Sequence, residues 1–280
     1  MAGYAHPDVL VETDWVEVHH GDPVVRLVEA DEDPKLYDEG HIPGALRLHW
    51  KEDLQDPVVR DWVDRERFAR LLGDRGVSHD HTVILYGDRN NWFATYVFWL
   101  FKYYGHRDVR VLNGGRDRWL RDGRALTAEV PRFSPTEYRA GGPDLSIRTF
   151  RDDLLRSLGH PGVALVDVRS PAEFSGDLLA PPAYPQEGAQ RGGHIPGARN
   201  IPWGENVRED GRFKAPEELR ALYEAHGIRP EQEVVAYCRI GERSSLTWFT
   251  LKYLLGYERV KNYDGSWTEW GSLVGAPIER

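Results

Sequence analysis

A single cysteine, Cys238, stands among 280 residues. It cannot close a disulfide within the chain and leaves no second thiol for a dithiol redox cycle, so any sulfur chemistry must pass to an external acceptor. No segment approaches the roughly 18 uncharged apolar residues of a membrane-spanning helix. The stretch from Met1 to Asp8 also lacks the basic-then-apolar pattern of a secretory leader. These absences read as a soluble, cytoplasmic protein without a membrane partner. Excess positive charge is missing too: 36 Lys and Arg face 45 Asp and Glu, for a net charge of −9. The basic residues are scattered rather than striped, which argues against a nucleic-acid surface. His19-His20 and the acidic run from Glu29 to Asp33 have no second ligand pair at a recognised spacing, so they read as solvated turns and no metal is expected.

What is present is an internal repeat. Gly40-His41-Ile42-Pro43-Gly44-Ala45 returns as Gly193-His194-Ile195-Pro196-Gly197-Ala198, and Trp50 returns as Trp203, at an offset of 153. Val83-Ile84-Leu85-Tyr86 matches Val234-Val235-Ala236-Tyr237, and Gly114 and Trp119 match Gly265 and Trp270, at an offset of 151. Self-similarity over half the chain means duplicated domains. Pro131, Pro135, Gly141, Gly142 and Pro143 break the pattern between the halves. The expected organisation is a domain over 1–130, a linker over 131–145 and a second domain over 146–280. Short Val/Leu/Ile runs alternate with longer amphipathic stretches in both halves, which predicts an α/β fold with a parallel sheet flanked by helices.

Cys238 lies between an apolar run, Glu233 to Tyr237, and a helix-spaced set, Leu246, Phe249, Leu251 and Leu254. It therefore falls on the turn at the carboxyl end of a strand, where open α/β sheets build their sites. Arg239, Gly241 and Arg243 follow within five residues. Arginines and a helix N-terminus lower a thiol pKa, so the expectation is a reactive thiolate with the amides of residues 239 to 243 converging on a bound anion. The repeat supplies a control: Gly87 stands at the place of Cys238, so the first half lacks the nucleophile.

With these pieces in place, the chain resembles the tandem-domain rhodaneses, which are thiosulfate sulfurtransferases. The resemblance is carried by the paired Gly-His-Ile-Pro-Gly-Ala runs, Asp167 to Phe174, the Cys238 loop and Tyr263-Asp264-Gly265-Ser266-Trp267. It implies two rhodanese-like domains, each a five-stranded parallel sheet between helices, the N-terminal one inactive and the C-terminal one catalytic, with the site facing the interface between them. It further implies that the Cys238 thiolate takes the outer sulfur of thiosulfate as a persulfide, expels sulfite, and passes the sulfur to cyanide or a thiol. A protein acceptor is the remaining partner, and no cofactor is implied because the sulfur rides on the enzyme.

Arg239 and Arg243 are then the residues for the sulfonate oxygens, and Ile240 stands where some relatives carry a lysine. Gly241 supplies a backbone free of steric limits on φ. Glu242 either pairs with an arginine or begins the helix near its positive end, the structural role being preferred. Ser244 and Ser245 donate to the sulfur or cap the helix. Asp167 and Arg169 support the site, with Asp167 steering hydrogen bonds to the loop. Trp267 and Trp92, which have no counterpart in the repeat, are candidates to face a cleft. His41 and His194 are structural, since both halves carry them.

Tyrosine phosphatases hold their Cys and Arg one residue further apart than Cys238 and Arg243, which favours sulfur over phosphoryl transfer. Mercaptopyruvate-using relatives carry one cation or none in this loop, so two arginines favour thiosulfate; mercaptopyruvate transfer and persulfide delivery to a protein remain the alternatives. From Asp167 to His194 the chain spans 27 positions, against 12 from Glu29 to His41. The surplus at 176–192 reads as a lid or a wrap.

Overall fold

The computed structural model describes residues 3–184 and 188–280. Pro185, Gln186 and Glu187, part of the surplus segment, lie outside the described residues. The chain divides into two compact units. The first is Asp8–Asp144 with Glu209–Phe213, and the second is Leu145–Arg208 with Lys214–Arg280 and the N-terminal residues up to Pro7.

In the first unit the strands are β1 (Leu10–Val11), β2 (Val25–Glu29), β3 (Ala45–Arg47), β4 (Thr82–Tyr86) and β5 (Val109–Leu112). The second has β6 (Arg148–Thr149), β7 (Val163–Asp167), β8 (Arg199–Asn200), β9 (Glu233–Tyr237) and β10 (Val260–Tyr263). Each sheet has five strands, in the orders β1-β5-β4-β2-β3 and β6-β10-β9-β7-β8. Every pairing between these strands is parallel, with Leu27 opposite Ile84 and Leu165 opposite Val235. The two orders are one order used twice. Parallel strands covered on both faces read as continuous apolar runs, and all five residues of β2 are buried.

The repeated motif has the same duty in both units. Ile42 N donates to the Tyr86 hydroxyl at 2.9 Å, and Ile195 N to the Tyr237 hydroxyl at 3.1 Å. His41 and His194 each bond a helix carbonyl through Nδ1, those of Tyr37 and Phe174, at 2.9 Å. They stack on those same rings at 3.9 and 3.6 Å. The motif thus ties the helix after one strand to the central strand of each sheet. Trp119 and Trp270 likewise donate their indole N–H to Ala125 O and Pro277 O.

The cores follow from this layering. One cluster gathers Leu27, Ile42, Ile84, Tyr86, Leu112 and Trp119. The other gathers Leu165, Ile195, Val235, Tyr237, Tyr263 and Trp270. Residues 131–144 carry no helix or strand and are pinned to the first unit by Thr136 N to Gly73 O and Gly141 N to Tyr104 O. Residues 209–213 join that unit through Phe213 N, which donates to Asn113 Oδ1 at 3.0 Å, and an Arg118–Asp210 ion pair. No helix among the described residues is long and apolar enough to cross a membrane.

Candidate active site

β9 is the central strand of its sheet, and Cys238 is the first residue beyond its carboxyl end. The chain turns through Arg239 and Ile240 to Gly241 and enters the helix Glu242–Phe249. The loop is held from behind by its carbonyls. Trp267 N donates to Cys238 O and Thr268 N to Arg239 O, both at 3.0 Å. Asn262 Nδ2 donates to Gly241 O at 2.9 Å, and Cys238 N donates to the Ser266 hydroxyl at 3.1 Å. With those carbonyls committed outward, Gly241 N turns inward and donates to Cys238 Sγ at 3.1 Å. Gly241 needs to be glycine on two counts. Its φ is 93°, and a Cβ there would lie 2.9 Å from Asp264 Oδ1 and 3.0 Å from Asp264 Cα.

The expectation of a lowered thiol pKa is corrected by burial. Cys238 is completely enclosed, and its thiol donates to Glu242 Oε2 at 3.2 Å. Burial pushes the thiol up and the Glu242 charge adds to this, while Arg243 and the amide and hydroxyl of Ser244 pull against them without prevailing. Sequence reasoning weighed the arginines and the helix terminus but had no view of the enclosure.

The two arginines differ. Arg243 is buried with Nη1 and Nη2 on Glu173 at 3.1 and 3.0 Å. Its guanidinium is thereby engaged by a carboxylate from the neighbouring helix. Burial alone would raise the Glu173 pKa, but the Arg243 hydrogen bonds and charge, with Ser170, outweigh it and hold the carboxyl down to about 2. Arg239 reaches Glu242 Oε1 at 3.4 Å and lies 4.5 Å over the Tyr184 ring. Ile240 is buried beside it. Ser245 returns its hydroxyl to Glu242 O.

Asp167, Arg169 and Trp267 are linked to one another beside the loop. Asp167 accepts from Arg169 N and Nε at 3.0 Å. Arg169 Nη2 continues to Gly193 O at 2.7 Å, and its guanidinium lies 4.6 Å over the Trp267 ring. Trp267 is 2% exposed, a core residue, and its indole N–H bonds Arg191 O. Its backbone amide reaches the loop at Cys238 O.

Sequence reasoning missed Glu173, Asn262 and Ser266. Ser170-Pro171-Ala172-Glu173 is a legible capping box, yet nothing in the spacing connects Glu173 with an arginine 70 positions away. Ser266 had a faint signal, since Gly115 occupies its place in the repeat. Among the described residues no group of three or more His, Cys, Asp or Glu side chains is placed to hold a metal ion.

In the first unit, Arg89, Asn90 and Asn91 of the matching loop have φ of 45°, 58° and 69°, and Gly87 N donates to Asn91 Oδ1. A Cβ on Gly87 would sit 2.0 Å from Ala30 O. Gly87→Cys is therefore expected to destabilise the chain by about 1–3 kcal/mol in urea unfolding. In a Cys238→Ser background it is expected to acquire no sulfur by intact mass; a sulfur-loaded Gly87→Cys protein would refute this.

The rhodanese-like domain matches the chain twice, over residues 12–122 and 150–273. The "Sulfur carrier protein TtuD" of Thermus thermophilus is 59% identical over 99% of both chains. A Mycolicibacterium smegmatis protein named "Putative thiosulfate sulfurtransferase" is 58% identical over 98% of this chain and 99% of its own. A solved structure of EanB, bearing a cysteine persulfide in a tetrahedral intermediate state with ergothioneine, superposes with a TM-score of 0.85. It is 26% identical, over 99% of this chain and 71% of that one.

Proposed function

The chain belongs to the rhodanese family, as a tandem pair of rhodanese-like domains, and on that premise we propose that it moves the outer sulfur of thiosulfate through a persulfide on Cys238. The observation that carries this reading is the buried sulfur beyond the central strand, with the inward amide of Gly241 on it and the Arg239 guanidinium in the same loop. Cys238 attacks the outer sulfur, the S–S bond of thiosulfate breaks, and sulfite departs with the electron pair. Inward amides of the loop then share the charge of the persulfide. Cyanide or a thiolate attacks the terminal sulfur and restores Cys238.

Arg239 is the donor-binding cation in this scheme, because Arg243 is committed to Glu173 and acts on the sulfur through its charge. Each charge-assisted hydrogen bond contributes about 1.5–3 kcal/mol. Arg239→Ala is therefore expected to raise the KM for thiosulfate roughly 10- to 100-fold, with the circular dichroism spectrum unchanged. A KM within twofold of wild type would remove Arg239 from donor binding.

Steady-state turnover with thiosulfate and cyanide is the direct test, and two half-reactions predict ping-pong kinetics. A higher kcat/KM with mercaptopyruvate would replace the donor. The name of the Thermus relative favours a second reading, delivery of the persulfide to a protein. A chain that loads one sulfur from thiosulfate but does not turn over with small acceptors would select it.

A further inference from the structure

We propose that Glu242 takes the proton of Cys238 when the sulfur becomes a nucleophile, so that the loop carries its own base. The inference rests on the thiosulfate reading only for the identity of the donor. Glu242 Oε2 accepts from the thiol at 3.2 Å, while Gly241 N donates to the same sulfur at 3.1 Å. The two carboxylate oxygens divide their work: Oε1 takes Arg239 at 3.4 Å and lies 3.7 Å from Arg243 Nε, which leaves Oε2 to the sulfur. Both Cys238 and Glu242 are shielded from water, at 0% and 1% exposure. A proton leaving this sulfur has a carboxylate oxygen as its neighbour.

The other groups packed around the pair are otherwise engaged. Arg243 is held by Glu173 from the helix Pro171–Ser175. Asp264, in the turn after β10, is paired with Arg148 of β6 at 2.8 Å. The Ser266 hydroxyl accepts from Cys238 N and donates to Tyr263 O. Ser244 is buried in the helix that Glu242 begins.

A dianionic donor meets a carboxylate beside its nucleophile, which repels it. Transfer of the proton from Sγ to Oε2 moves the negative charge from oxygen to sulfur without changing the charge of the pair. The thiolate then forms the new S–S bond, thiosulfate's own S–S bond breaks toward sulfite, and the protonated Glu242 lies beside the persulfide as a hydrogen-bond donor. When an acceptor anion removes the outer sulfur, Cys238 leaves as a thiolate and recovers its proton from Glu242.

The pH profile tests this. Transfer within the pair makes the reactive tautomer independent of pH, whereas a thiol that loses its proton to water gains thiolate about tenfold per pH unit below its pKa. Alkylation by iodoacetamide, an uncharged probe, is to be timed between about pH 6 and pH 8, in parallel with sulfur loading from thiosulfate followed by quenched mass. Wild type is expected to vary by less than about twofold, Glu242→Gln to climb about tenfold per unit, and Glu242→Asp to keep the flat profile at a lower rate. A wild-type rate that itself climbs tenfold per unit overturns the proposal without need of any variant, as does a flat Glu242→Gln profile. Alkylation that follows the expected slopes while thiosulfate loads nothing would sink the donor reading and leave Glu242 in place.

Discussion

Intact mass after thiosulfate treatment is expected to show one added sulfur atom on the wild-type chain and none on Cys238→Ser, with turnover falling by about 10⁴-fold or more. The reason is chemical rather than architectural. Serine fits the enclosed position, and its hydroxyl can still donate to Glu242 Oε2 and accept from Gly241 N, so the loop is expected to hold its shape. What disappears is a nucleophile able to ionise beside Glu242 and to form a bond to sulfur. Cyanide should strip the added mass from the wild type as thiocyanate appears. Retention of turnover within tenfold of wild type in Cys238→Ser would end the persulfide scheme, since the chain has no other thiol.

The second large effect is on stability. Removing one partner of a buried ion pair leaves an uncompensated charge, at a cost of about 3–5 kcal/mol. Arg243→Ala does this to Glu173, whose side chain is 3% exposed, and should lower the melting temperature of the second unit by about 10 °C or more. The double variant Arg243→Leu with Glu173→Leu removes both charges and is expected to recover much of the loss. The pair also sets a pH dependence. Glu173 has a folded pKa of about 2, below its ordinary value of 4.5, so its contribution is complete above about pH 5 and is lost as the pH falls towards 2. Urea unfolding at several pH values should show the difference between wild type and Glu173→Gln shrinking as the solution is acidified. A constant difference would mean that the pair is not the source.

Much of this was legible in the chain itself. Both sheets were visible because strands covered on two faces announce themselves as Val/Leu/Ile runs, and the repeat fixed their correspondence through Tyr86 and Tyr237. The Cys238 loop was visible because a glycine and two arginines directly after a strand end suit an anion cradle and do little for an ordinary structural turn. The partners of the loop were less visible, since a strand order that brings β7 and β10 alongside β9 sets Glu173, Asn262 and Ser266 around Cys238 with no trace in local spacing. Glu242 is the instructive residue. Its position at the start of a helix gave a sufficient local reason for a carboxylate, and that reason concealed its contact with the sulfur. Trp267 failed in the opposite sense: its lack of a counterpart in the repeat suggested exposure, and it fills the core beside Arg169.

The approach of the Ala30 carbonyl to Gly87 bears on what a substitution could restore. In the first unit, backbone occupies the volume where a side chain at residue 87 would begin. A single codon change cannot undo that, because the obstacle is main chain on a neighbouring strand end and no rotamer moves it aside. The asymmetry between the two halves is thus built into the main chain, beyond the reach of any side-chain exchange at residue 87 alone.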